Sequence, residues 1–510
     1  MNQHDPQPGK NCRNSKEELH HETARVIETV LPFSQAAHYR KNDVVMMKGE
    51  QSCCLYYVQQ GTVEVSHTLH ETRIAVALIG AGNFFGEIGF FDKSSRVRDI
   101  RATENAIVRF FDDHALQQIR QMDPALYGDF LILIARNICV KFRRILTERE
   151  PLTAYAASLS TGGRSFDQSA PLPDHFFKTP EWHFLNRVVE DLKARFYDVS
   201  YRLQENENKD IPKPLQKQCH ELLTRFNDHL REAHNRFDKP EIVNCTWGYV
   251  FKEIFPYFMR SRFAERAYFK PKGYAGDFLM MEMIYGNKPD GDGKLGLLVD
   301  AWCLNTASAR AVRGRRRLLT KQLRLACDQR SGESGAIHIM NLACGSNREF
   351  FDFLSDCDYT HLIEATCVDA DPHALEYTAR HVDIFPHEAS IRLMNDNVIK
   401  WSLGRIRHHY GLQDIIYSAG LTDYLDHRLF QALATRCHEQ LKPGGVLIIG
   451  NFGPTNPNRA FMDHVLQWRL IHRSEDELRD LFATTPFKQE VQIMTEGQGL
   501  NLFAIATKSV

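Results

Sequence analysis

The sequence predicts a multidomain protein of the α+β and α/β classes, with an N-terminal β-roll and helices, a helical connector, and a C-terminal domain built on a mainly parallel sheet. Three observations predict this organisation. A chain of 510 residues is too long for a single core. Short strand-like runs separated by turn residues occupy residues 31–111, and strands alternate with helical patterns over residues 305–508. Amphipathic helices fill most of the segment between them.

The domain boundaries follow from changes in residue pattern along the chain. Gly61 separates two β-rich runs in LYYVQQGTVEV, and residues 112–149 have the apolar spacing of a helix. Ser, Thr, Gly and Pro then become frequent, as they do in linkers. We therefore expect a polar, partly helical segment at 1–30, a β-roll domain at 31–150, a linker at 151–176, a helical connector and substrate lid at 177–304, and a sheet domain at 305–510.

The composition excludes several classes of function. With 43% hydrophobic residues, 25% charged residues and a formal net charge of -1, the chain has no overall field that would attract nucleic acid or anionic lipid. The longest aliphatic run, FLILIA at 130–135, is too short to span a bilayer. The twelve cysteines are scattered and lack the spacing of a metal site. We expect a cytoplasmic protein with reduced thiols, no metal, no nucleic-acid partner and no integral membrane association.

The stretch FGEIGFFDKSSRVRDIRA, residues 85–102, combines a glycine-rich turn, a carboxylate and a guanidinium nine residues later. Backbone N–H groups and a guanidinium can bind a phosphate, and a carboxylate can accept a hydrogen bond from a ribose hydroxyl. Glu87 and Arg96 could therefore hold the sugar and the phosphate of a cyclic nucleotide. Alternatively, they could form an internal salt bridge in a β-roll that has lost its ligand.

Residues 31–149 resemble a cyclic nucleotide-binding domain, with FGEIGFF and RVRDIRA standing where that family has its phosphate-binding cassette. The resemblance implies cAMP or cGMP as effector, with Glu87 on the ribose and Arg96 on the phosphate. Val97 departs from the family, which usually has a small or hydroxylated residue at this position. A linker follows the long helix where related transcription factors have a helix-turn-helix, which disfavours DNA binding. The implied nucleotide-binding residues are Phe85, Gly86, Glu87, Ile88, Arg96 and Val97.

The C-terminal sheet domain begins with IHIMNLACGSNREF, an apolar strand followed by a small-residue turn that opens a helix. The next three strands end in the polar loops of CVDADPHAL, MNDNVIKW and DIIYSAGLTDYL. In open α/β sheets such loops meet at the carboxyl edge, where ligands bind. This pattern is typical of methyltransferases and of dinucleotide-binding dehydrogenases.

The order of these motifs over residues 305–508 resembles the Rossmann-like class I S-adenosylmethionine-dependent methyltransferases, and LKPGGVLIIGNF with two late strands favours them over a dehydrogenase. The resemblance implies S-adenosylmethionine as cofactor, with Asp369 on the ribose. Asn341 and Asn347 replace the usual acidic residue and third glycine of the family. The implied cofactor-binding residues are Tyr274, Ala343, Cys344, Gly345, Ser346, Asp369 and Ala370, with Asp396 and Asn397 near the adenine, and Ser418.

A narrower resemblance lies in PKGYAGDFLMMEMIYG, ARAVRGRRRLL, YSAGLTDYLDHRLF and NFGPTNPNRAFMDHVLQWRL, which look like bacterial methyltransferases assigned to 3-hydroxypalmitic acid methyl ester biosynthesis. It implies methylation of the carboxylate of a 3-hydroxy fatty acid. A carboxylate is already ionised, whereas a hydroxyl or amine acceptor would need a base, and Asp423, Tyr424 or His464 could serve. The candidate catalytic residues are Asp423, Tyr424 and Asn451, each of which could instead be a structural group.

The motif RGRRR has two interpretations. Arg313, Arg316 and Arg317 are spaced i, i+3 and i+4, so they form one helix face. That face is either solvated or a site for an anion or a substrate carboxylate.

The sequence thus predicts a methyltransferase that acts on a small, lipid-like molecule and is regulated by a cyclic nucleotide through the helix of residues 125–149. The alternative from a different class is a signalling or scaffold protein in which one or both sites are vestigial. The expected partners are the methyl acceptor, the nucleotide, and a second copy of the chain bound through residues 125–149 or the connector. The acceptor, the choice between cAMP and cGMP, and the sign of regulation are left open.

Overall fold

The structure is a computed structural model that describes residues 16–51, 53–69, 72–96, 98–160, 174–205, 210–237, 240–332, 335–382, 384, 386–406, 408–488 and 491–509. The chain divides into two compact units. The first comprises Met1–Phe226 with Asn235–Tyr257, and the second comprises Asn227–His234 with Phe258–Val510.

The β-roll of the first unit is made of two four-stranded antiparallel sheets, with strand orders β1-β8-β3-β6 and β2-β7-β4-β5. Gly61 has a φ of +81° and joins β3 to β4, as the sequence predicts. The first strand, β1, was not predicted, because QAAHY carries little of the alternation that marks a strand. The strands are β1 Gln35–Tyr39, β2 Val44–Met46, β3 Cys54–Gln60, β4 Thr62–Leu69, β5 Thr72–Gly80, β6 Phe84–Phe85, β7 Asp99–Ala102 and β8 Ala106–Asp112.

Helices precede, interrupt and follow the β-roll. The long helix continues to Ser160, ten residues into the segment predicted to be a linker, and residues 161–173 of that segment lie outside the described residues. Residues 151–160, PLTAYAASLS, begin with a proline but contain the good helix formers leucine and alanine. The helices are α1 Lys16–Val30, α2 Glu87–Asp92, α3 Asp113–Met122, α4 Pro124–Ser160, α5 Pro180–Glu205, α6 Lys213–Arg236 and α7 Pro240–Phe258, with short 3₁₀ turns at Leu31–Phe33 and Asp174–Lys178.

Two apolar clusters make up the core of the β-roll domain. One lies between the sheets and contains Val58, Val63 and Val108, all fully buried. The other joins the roll to its helices through residues such as Leu55, and Phe130 of α4 packs against the ring of Phe84. The first part of α4 is therefore held on the domain that carries the predicted nucleotide-binding cassette.

The second unit contains a seven-stranded mixed sheet in the order β11-β10-β9-β12-β13-β15-β14. The first five strands in this order are parallel, and β15 and β14 pair antiparallel. The sequence predicts this mainly parallel sheet with two late strands, and the prediction is confirmed. The strands are β9 Ile337–Leu342, β10 Ile363–Asp369, β11 Ser390–Asn395, β12 Gln413–Ser418, β13 Leu441–Phe452, β14 Val491–Thr495 and β15 Asn501–Thr507.

Helices cover both faces of this sheet. Ile339 of β9 packs in the cluster that contains α11 and α12, and the next residue, Met340, packs in the opposite cluster with α14, α15 and α16. Burial on both faces explains why the parallel strands read as continuous apolar runs. The helices are α8 Arg262–Phe269, α9 Phe278–Gly286, α10 Gly293–Leu304, α11 Ala307–Asp328, α12 Arg348–Ser355, α13 Pro372–Val382, α14 Val398–Ser402, α15 His427–Gln440 and α16 Glu475–Ala483, with a 3₁₀ turn at Thr360–Leu362, another at Thr422–Tyr424, and a π-helical turn at Phe461–Val465.

Residues 258–304 belong to the sheet unit, although the sequence assigns them to the connector. Ion pairs and hydrogen bonds explain this, because Lys272 bonds to Asp371 and Glu282 pairs with Arg348 of the sheet unit. The carbonyl of Ile284 also accepts from Arg313 of α11. No helix in the described parts of the chain is long and apolar enough to cross a membrane.

Candidate functional sites

The predicted nucleotide cassette is a tight turn between β6 and α2. Gly86 has a φ of +74°, which favours glycine, and stands at the N-terminus of α2. The ring of Phe85 is buried and stacks on Tyr56 with the ring centroids 4.9 Å apart. Ile88, in contrast, is 61% exposed. Packing of Phe85 on Tyr56 therefore fixes the buried side of the turn, while Ile88 lies on its solvent-exposed side.

Arg96 is folded back under this turn. Its side chain is buried, and Nη1 donates to the carbonyl of Gly86 at 2.7 Å while Nη2 donates to the carbonyl of Cys54. The guanidinium carbon lies 5.3 Å from the ring centroid of Tyr56. Within the described part of the chain, no carboxylate lies at ion-pair distance from Arg96, so its charge is available for an anion. Val97, the next residue, lies outside the described residues.

Glu87 pairs with Lys141 of α4. The Lys141 Nζ lies 2.8 Å from Glu87 Oε1 and donates at 2.8 Å to the carbonyl of Phe84. The Glu87–Arg96 salt bridge considered from the sequence is therefore not the arrangement found here. Sequence reasoning missed Lys141 because 54 residues separate it from Glu87 and α4 alone gives no sign of the contact.

The first loop of the sheet unit follows β9 and has an unusual backbone. Ala343, Gly345 and Asn347 have φ values of +54°, +54° and +57°. Left-handed conformations at Ala and Asn are uncommon and concentrate at ligand-binding turns. The buried thiol of Cys344 packs among Cys367 and Leu375, and Ser346 is buried beside Glu282. The loop therefore presents backbone groups where an open sheet binds ligands.

Asp369, at the end of β10, is bound directly to that loop. Its Oδ2 accepts from the N–H of Gly345 at 2.8 Å, and its Oδ1 accepts from the N–H of Asp371 at 2.8 Å. The carboxylate is buried, and burial raises its pKa. Ala370 is exposed beside it. A carboxylate fixed by two backbone donors retains lone pairs with which it can accept from a ribose hydroxyl.

Asp371, which the sequence analysis missed, lies next to Asp369. Its Oδ1 pairs with Lys272 at 3.2 Å, whereas Oδ2 is buried and has no hydrogen-bond partner among the described residues. Burial and the charges of Asp369, Asp277 and Asp371 raise the pKa of Tyr274. Two carboxylates, one with an unsatisfied oxygen, and a neutral phenol thus lie close together at this edge. A donor such as a sugar hydroxyl would satisfy that oxygen.

The segment before α9 lies against the loop and the fourth-strand residues. Asp277 caps α9 and forms a two-bond ion pair with Arg266. A Cβ placed on Gly276 would lie 2.6 Å from the Tyr424 hydroxyl, and one on Gly345 would lie 3.8 Å from the Cβ of Phe278. Residues 274–286, predicted to be part of a lid, are therefore one wall of the candidate site.

The two residues predicted near the adenine have partners already. Asp396 Oδ2 accepts from the hydroxyl of Tyr410 and lies 2.9 Å from His408 Nδ1. Asn397 caps α14 through its side-chain oxygen, which accepts from Lys400 N at 2.9 Å. Both residues directly follow the carboxyl end of β11. The Asn397 side chain uses its oxygen, and not its amide N–H₂ group, in the cap of α14.

Asp423 and Tyr424 form a 3₁₀ turn after β12. Asp423 is buried and its Oδ1 accepts from the N–H of Phe452 at 2.7 Å, and burial raises its pKa to about 7. The Tyr424 hydroxyl accepts from Trp468 Nε1 at 2.9 Å, and the Tyr274 and Tyr424 ring centroids lie 6.2 Å apart. Tyr424, one of the three catalytic candidates, therefore adjoins the loop that carries Tyr274.

Two family models match this chain. The model described as "Cyclic nucleotide-binding domain" matches residues 36–123, and the model described as "Putative methyltransferase" matches residues 274–370. The chain carries a cyclic nucleotide-binding domain and a methyltransferase domain. The second match begins at Tyr274 and ends after Asp369, so it includes the loop after β9 and the segment before α9.

Curated relatives match short stretches of this chain. A putative potassium channel protein of Rhodopseudomonas palustris is 26% identical over 106 residues, which is 21% of this chain and 26% of that protein. The cAMP-activated global transcriptional regulator CRP of Haemophilus influenzae is 35% identical over 72 residues, or 14% of this chain and 32% of that protein. The chain thus spans about a quarter to a third of the length of these relatives.

Solved structures resemble parts of the chain at low identity. A cyclic nucleotide-binding domain from Methylobacillus flagellatus is 20% identical, with 23% of this chain and 67% of that chain covered and a TM-score of 0.22. A possible exported protein from Bordetella parapertussis is 15% identical, with 58% of this chain and 97% of that chain covered and a TM-score of 0.38. At these scores the likenesses carry no argument about function.

Three residues named from the sequence have structural partners in the methyltransferase domain. Asn451 is fully buried, its Nδ2 donates to the Ile471 carbonyl at 2.9 Å, and its Oδ1 accepts from Arg473 Nη1 at 2.7 Å. Ser418 donates to the Leu342 carbonyl at 2.8 Å and so joins β12 to β9. The Nε2 of His464 lies 3.0 Å from the Nδ1 of His234, and burial lowers the pKa of His464 to about 3. These contacts position the strands and turns around the site.

The RGRRR motif divides into several roles. Arg313 donates to the carbonyls of Ile284 and Leu304, and Arg316 forms a two-bond ion pair with Asp352. Arg317 is exposed. Arg315, which was not singled out from the sequence, is buried and directed towards Gly420 at the end of β12. Arg313, Arg316 and Arg317 therefore do not form a single solvated face, because two of them have protein partners. They do not form a single anion site either.

An apolar cavity of about 20 Å³ adjoins the catalytic candidates. Its walls include Phe263, Val312, Phe452 and Trp468. Phe452 donates its N–H to Asp423, and Trp468 donates to the Tyr424 hydroxyl. Two residues that line the cavity therefore hydrogen-bond to the catalytic candidates Asp423 and Tyr424. Among the described residues, no group of His, Cys, Asp and Glu side chains could hold a metal ion.

Proposed function

We propose that the chain is an S-adenosylmethionine-dependent O-methyltransferase that acts on a small carboxylic acid, such as a 3-hydroxy fatty acid, and is regulated by cAMP or cGMP. The observation that carries the proposal is Asp369, fixed by two backbone N–H groups at the loop after β9 beside the unsatisfied oxygen of Asp371. This arrangement lies between β10 and β9, beside the point where the strand order reverses. It fits the ribose of an adenosyl cofactor.

The residues around Asp369 fit the rest of that cofactor. The positive-φ loop of Ala343 to Asn347 has a backbone that a ligand can approach closely, and a Cβ added at Gly345 would have only the Phe278 Cβ within 4 Å. Tyr274 and Asp371 would bind beside the ribose, and Asn397 would hold the base. When bound, S-adenosylmethionine supplies an electrophilic methyl group on a positively charged sulfur.

The acceptor proposal rests on the groups around Tyr424. An ionised carboxylate needs no base, so the chain has only to hold it in line and exclude water. Tyr424 is oriented for this by Trp468. The cavity of about 20 Å³ beside Trp468 is apolar but has room for only about one methyl-sized group, so the rest of an alkyl chain would lie outside it. For a hydroxyl acceptor Asp423 would act as base, since burial raises its pKa to about 7.

The effector proposal rests on Gly86 and Arg96. The Arg96 guanidinium is bound to two neutral carbonyls and stacked on Tyr56, which leaves it able to pair with a phosphate. A Cβ on Gly86 would lie 2.8 Å from Arg96 Nη1, so glycine leaves a cradle at this point. Glu87 would accept from the ribose hydroxyl in competition with Lys141.

Regulation is proposed through elements of the first unit. Lys141 connects α4 to Glu87 in the cassette, and α5, the first long helix of the predicted connector, lies against β5. A ligand that changes the partner of Glu87 would therefore act on α4. The proposed location is the cytoplasm, as the cysteine pattern predicts.

The decisive experiment is calorimetry with S-adenosylhomocysteine. Asp369→Ala should weaken binding at least about a hundredfold, because two charge-assisted hydrogen bonds worth roughly 1.5–3 kcal/mol each are lost. The matched control is Asp476→Ala, which removes a carboxylate that is 92% exposed in the same unit. Equal affinity in wild type and Asp369→Ala would contradict the site, and no binding to wild type would favour the vestigial alternative.

A further inference from the structure

Arg315 of α11 is a buried cation without a counter-ion. Its side chain is 6% exposed, and Nε has no hydrogen-bond partner among the described residues. Nη2 lies 3.4 Å from the sulfur of Met281, a weak acceptor, and the side chain also bonds to Tyr285. No carboxylate lies within 4 Å of the guanidinium in the portion of the chain that is described. Among the described residues, the Nε donor is therefore unpaired and the guanidinium has no anionic partner.

Two neighbouring arginines of the same helix have hydrogen-bond partners that Arg315 lacks. Arg316, the next residue, forms two hydrogen bonds of 2.6 Å with Asp352, and Arg313 donates to two main-chain carbonyls. Both of these side chains are more exposed than Arg315. The most buried arginine of the three is thus the one without matched acceptors, although burying an unpaired charge is unfavourable.

The guanidinium points to the carboxyl edge of the sheet. A Cβ built on Gly420 would lie 2.9 Å from Arg315 Nη1, so a side chain at this position would compete with the guanidinium for space. Gly420 follows β12, next to β9 in the sheet, and lies three residues before Asp423. Arg315 therefore faces the place where the donor and the acceptor would meet in the proposed function.

Two buried acids face the same space without contacting Arg315. They are Glu349, at the start of α12, and Asp423. Burial raises the pKa of both carboxyl groups, that of Asp423 to about 7, although Arg315 favours their ionised forms. The other ionisable groups that face this region include Tyr285, Arg316, Tyr424 and Arg473. Because neither acid forms an ion pair with Arg315 in the described part of the chain, a carboxylate that entered this space could pair with the guanidinium directly.

We propose that Arg315 binds a carboxylate in the methyltransferase site. This rests on the proposed function, which offers two sources of a carboxylate: the amino-acid end of the methyl donor and the acceptor acid. A planar guanidinium recognises a carboxylate through two parallel hydrogen bonds, and exclusion from water strengthens both. Arg315 is thus a residue that sets specificity for an anion rather than part of the structural core.

The test compares Arg315→Met and Arg315→Lys with Arg317→Met, a control on the exposed side of the same helix. Full-length proteins are titrated by calorimetry with S-adenosylhomocysteine and with methylthioadenosine, which lacks the carboxylate. If the donor supplies the carboxylate, Arg315→Met weakens S-adenosylhomocysteine binding at least about tenfold and leaves methylthioadenosine binding unchanged. Arg315→Lys, which keeps the charge but loses the planar fork, gives a smaller loss.

The second arm tests the acceptor. In the presence of S-adenosylhomocysteine, 3-hydroxydecanoate and its methyl ester are titrated against the same proteins. If the acceptor supplies the carboxylate, Arg315→Met loses binding of the acid at least about tenfold, while the ester and S-adenosylhomocysteine bind both proteins equally. Either result supports the proposal and identifies the source.

Thermal unfolding without ligand separates this role from a structural one. Removing an unpaired buried cation should leave the melting temperature of Arg315→Met unchanged or raise it. The proposal is overturned if Arg315→Met binds S-adenosylhomocysteine like wild type and 3-hydroxydecanoate binding is equal in both proteins or absent from both. It is also overturned if affinity for methylthioadenosine falls as much as that for S-adenosylhomocysteine. Failure of wild type to bind S-adenosylhomocysteine would contradict the proposed function itself.

Discussion

Gly86 and Gly82 differ in the space available for an added methyl group, so they form a matched pair for testing the proposed nucleotide site. Both have positive φ values, +74° and +86°, so an alanine at either position is strained to a similar degree. Their surroundings differ, because a Cβ on Gly86 would meet Arg96 Nη1 at 2.8 Å and the Tyr56 ring at 3.1 Å, whereas a Cβ on Gly82 would meet nothing within 4 Å. Gly82 is therefore a control matched in backbone conformation.

Gly86→Ala should reduce the affinity for cAMP and cGMP by at least about tenfold, since the added methyl displaces the guanidinium proposed to bind the phosphate. Gly82→Ala should bind nucleotide like wild type, with a comparable loss of stability of about 1 kcal/mol from strain. Fluorescence titration with a labelled cyclic nucleotide measures the first quantity and thermal unfolding the second. Equal nucleotide affinity in the two variants would show that the cradle at Gly86 is not part of a binding site.

Asp423 gives the methyltransferase domain a pH-dependent stability. Burial raises the pKa of its carboxyl group from 3.8 to about 7. A raised pKa means that the folded state holds the proton more tightly, so the stabilisation is fully present below pH 3.8 and is lost as the pH rises through about 7. The N–H of Phe452 offsets only part of the burial effect.

Replacing Asp423 with asparagine removes this titration and keeps an acceptor for the Phe452 N–H. Between pH 5 and pH 8.5 the free energy of unfolding of wild type should fall, relative to Asp423→Asn, by about 2–3 kcal/mol, because two of the shifted pH units lie in that interval. Urea unfolding of both full-length proteins at the two pH values measures the difference. A difference that does not change with pH would mean that Asp423 does not titrate between pH 5 and pH 8.5, which would contradict a pKa near 7.

At single positions, the sequence indicated those candidate site residues whose placement depends on the local backbone. The glycine-rich turn at Gly86 and the strand-end carboxylate Asp369 belong to motifs that can be read within about ten residues. Lys141, Asp371 and Arg315 could not be predicted in this way. What distinguishes them is a partner far along the chain and, among the described residues, an oxygen without a hydrogen-bond donor and a guanidinium without a counter-ion. None of these features is visible before the chain is folded.

At the scale of elements, the contact between α2 and α4 is the feature that connects the nucleotide cassette to the rest of its unit. Glu87 is buried and Lys141 is about one-third exposed, with 2.8 Å between Nζ and Oε1. Lys141 also donates to the Phe84 carbonyl, so it binds both ends of the turn that contains Gly86. The pair therefore fixes α4 against the cassette.

A double-mutant cycle with Glu87→Gln and Lys141→Met should give a coupling energy of about 0.5–2 kcal/mol in the free protein, because the pair is close but partly open to solvent. In the presence of saturating cAMP the coupling should fall, since the ribose hydroxyl would then share Glu87. Chemical unfolding of the four proteins with and without nucleotide supplies the energies. A coupling that is the same in both conditions would separate Glu87 from the proposed ribose contact.

The elements themselves were predicted to different degrees. The parallel strands and most helices were predicted, because their apolar periodicity is set locally and burial on both sides of the sheet makes it strong. The strand Gln35–Tyr39 was missed, since its pattern is weak and pairing with β8 holds it in place. The end of α4 at Ser160 differs from the predicted boundary at 150, because boundaries depend on capping and packing more than on composition.

At the scale of the whole molecule, the sequence indicated two kinds of domain but placed residues 258–304 in the connector. Ion pairs such as Glu282–Arg348 put this segment in the sheet unit, where it forms one wall of the proposed methyltransferase site. Helical periodicity shows only that a segment is amphipathic and not which core it faces. The boundary of the sheet unit therefore lies at Phe258, earlier in the chain than the boundary at residue 305 that the sequence predicts.

The exposed side of α4 carries two large apolar residues, Ile132 and Phe142, which are 50% and 59% exposed. Their spacing of ten residues places them about 80° apart around the helix axis, so they do not form a single apolar stripe.

The last prediction concerns coupling between nucleotide and methyl donor. If nucleotide changes the equilibrium of α4 and the enzyme responds, saturating cAMP or cGMP should change the dissociation constant of S-adenosylhomocysteine by about 5- to 150-fold, the range of typical coupling energies of 1–3 kcal/mol. Linkage requires S-adenosylhomocysteine to change the nucleotide affinity by the same factor. Calorimetry in both orders of addition measures both factors, and Gly86→Ala and Gly82→Ala serve as the silent and responsive controls. Nucleotide binding to wild type without any change in donor affinity or methyl transfer would mean that the two domains are only tethered.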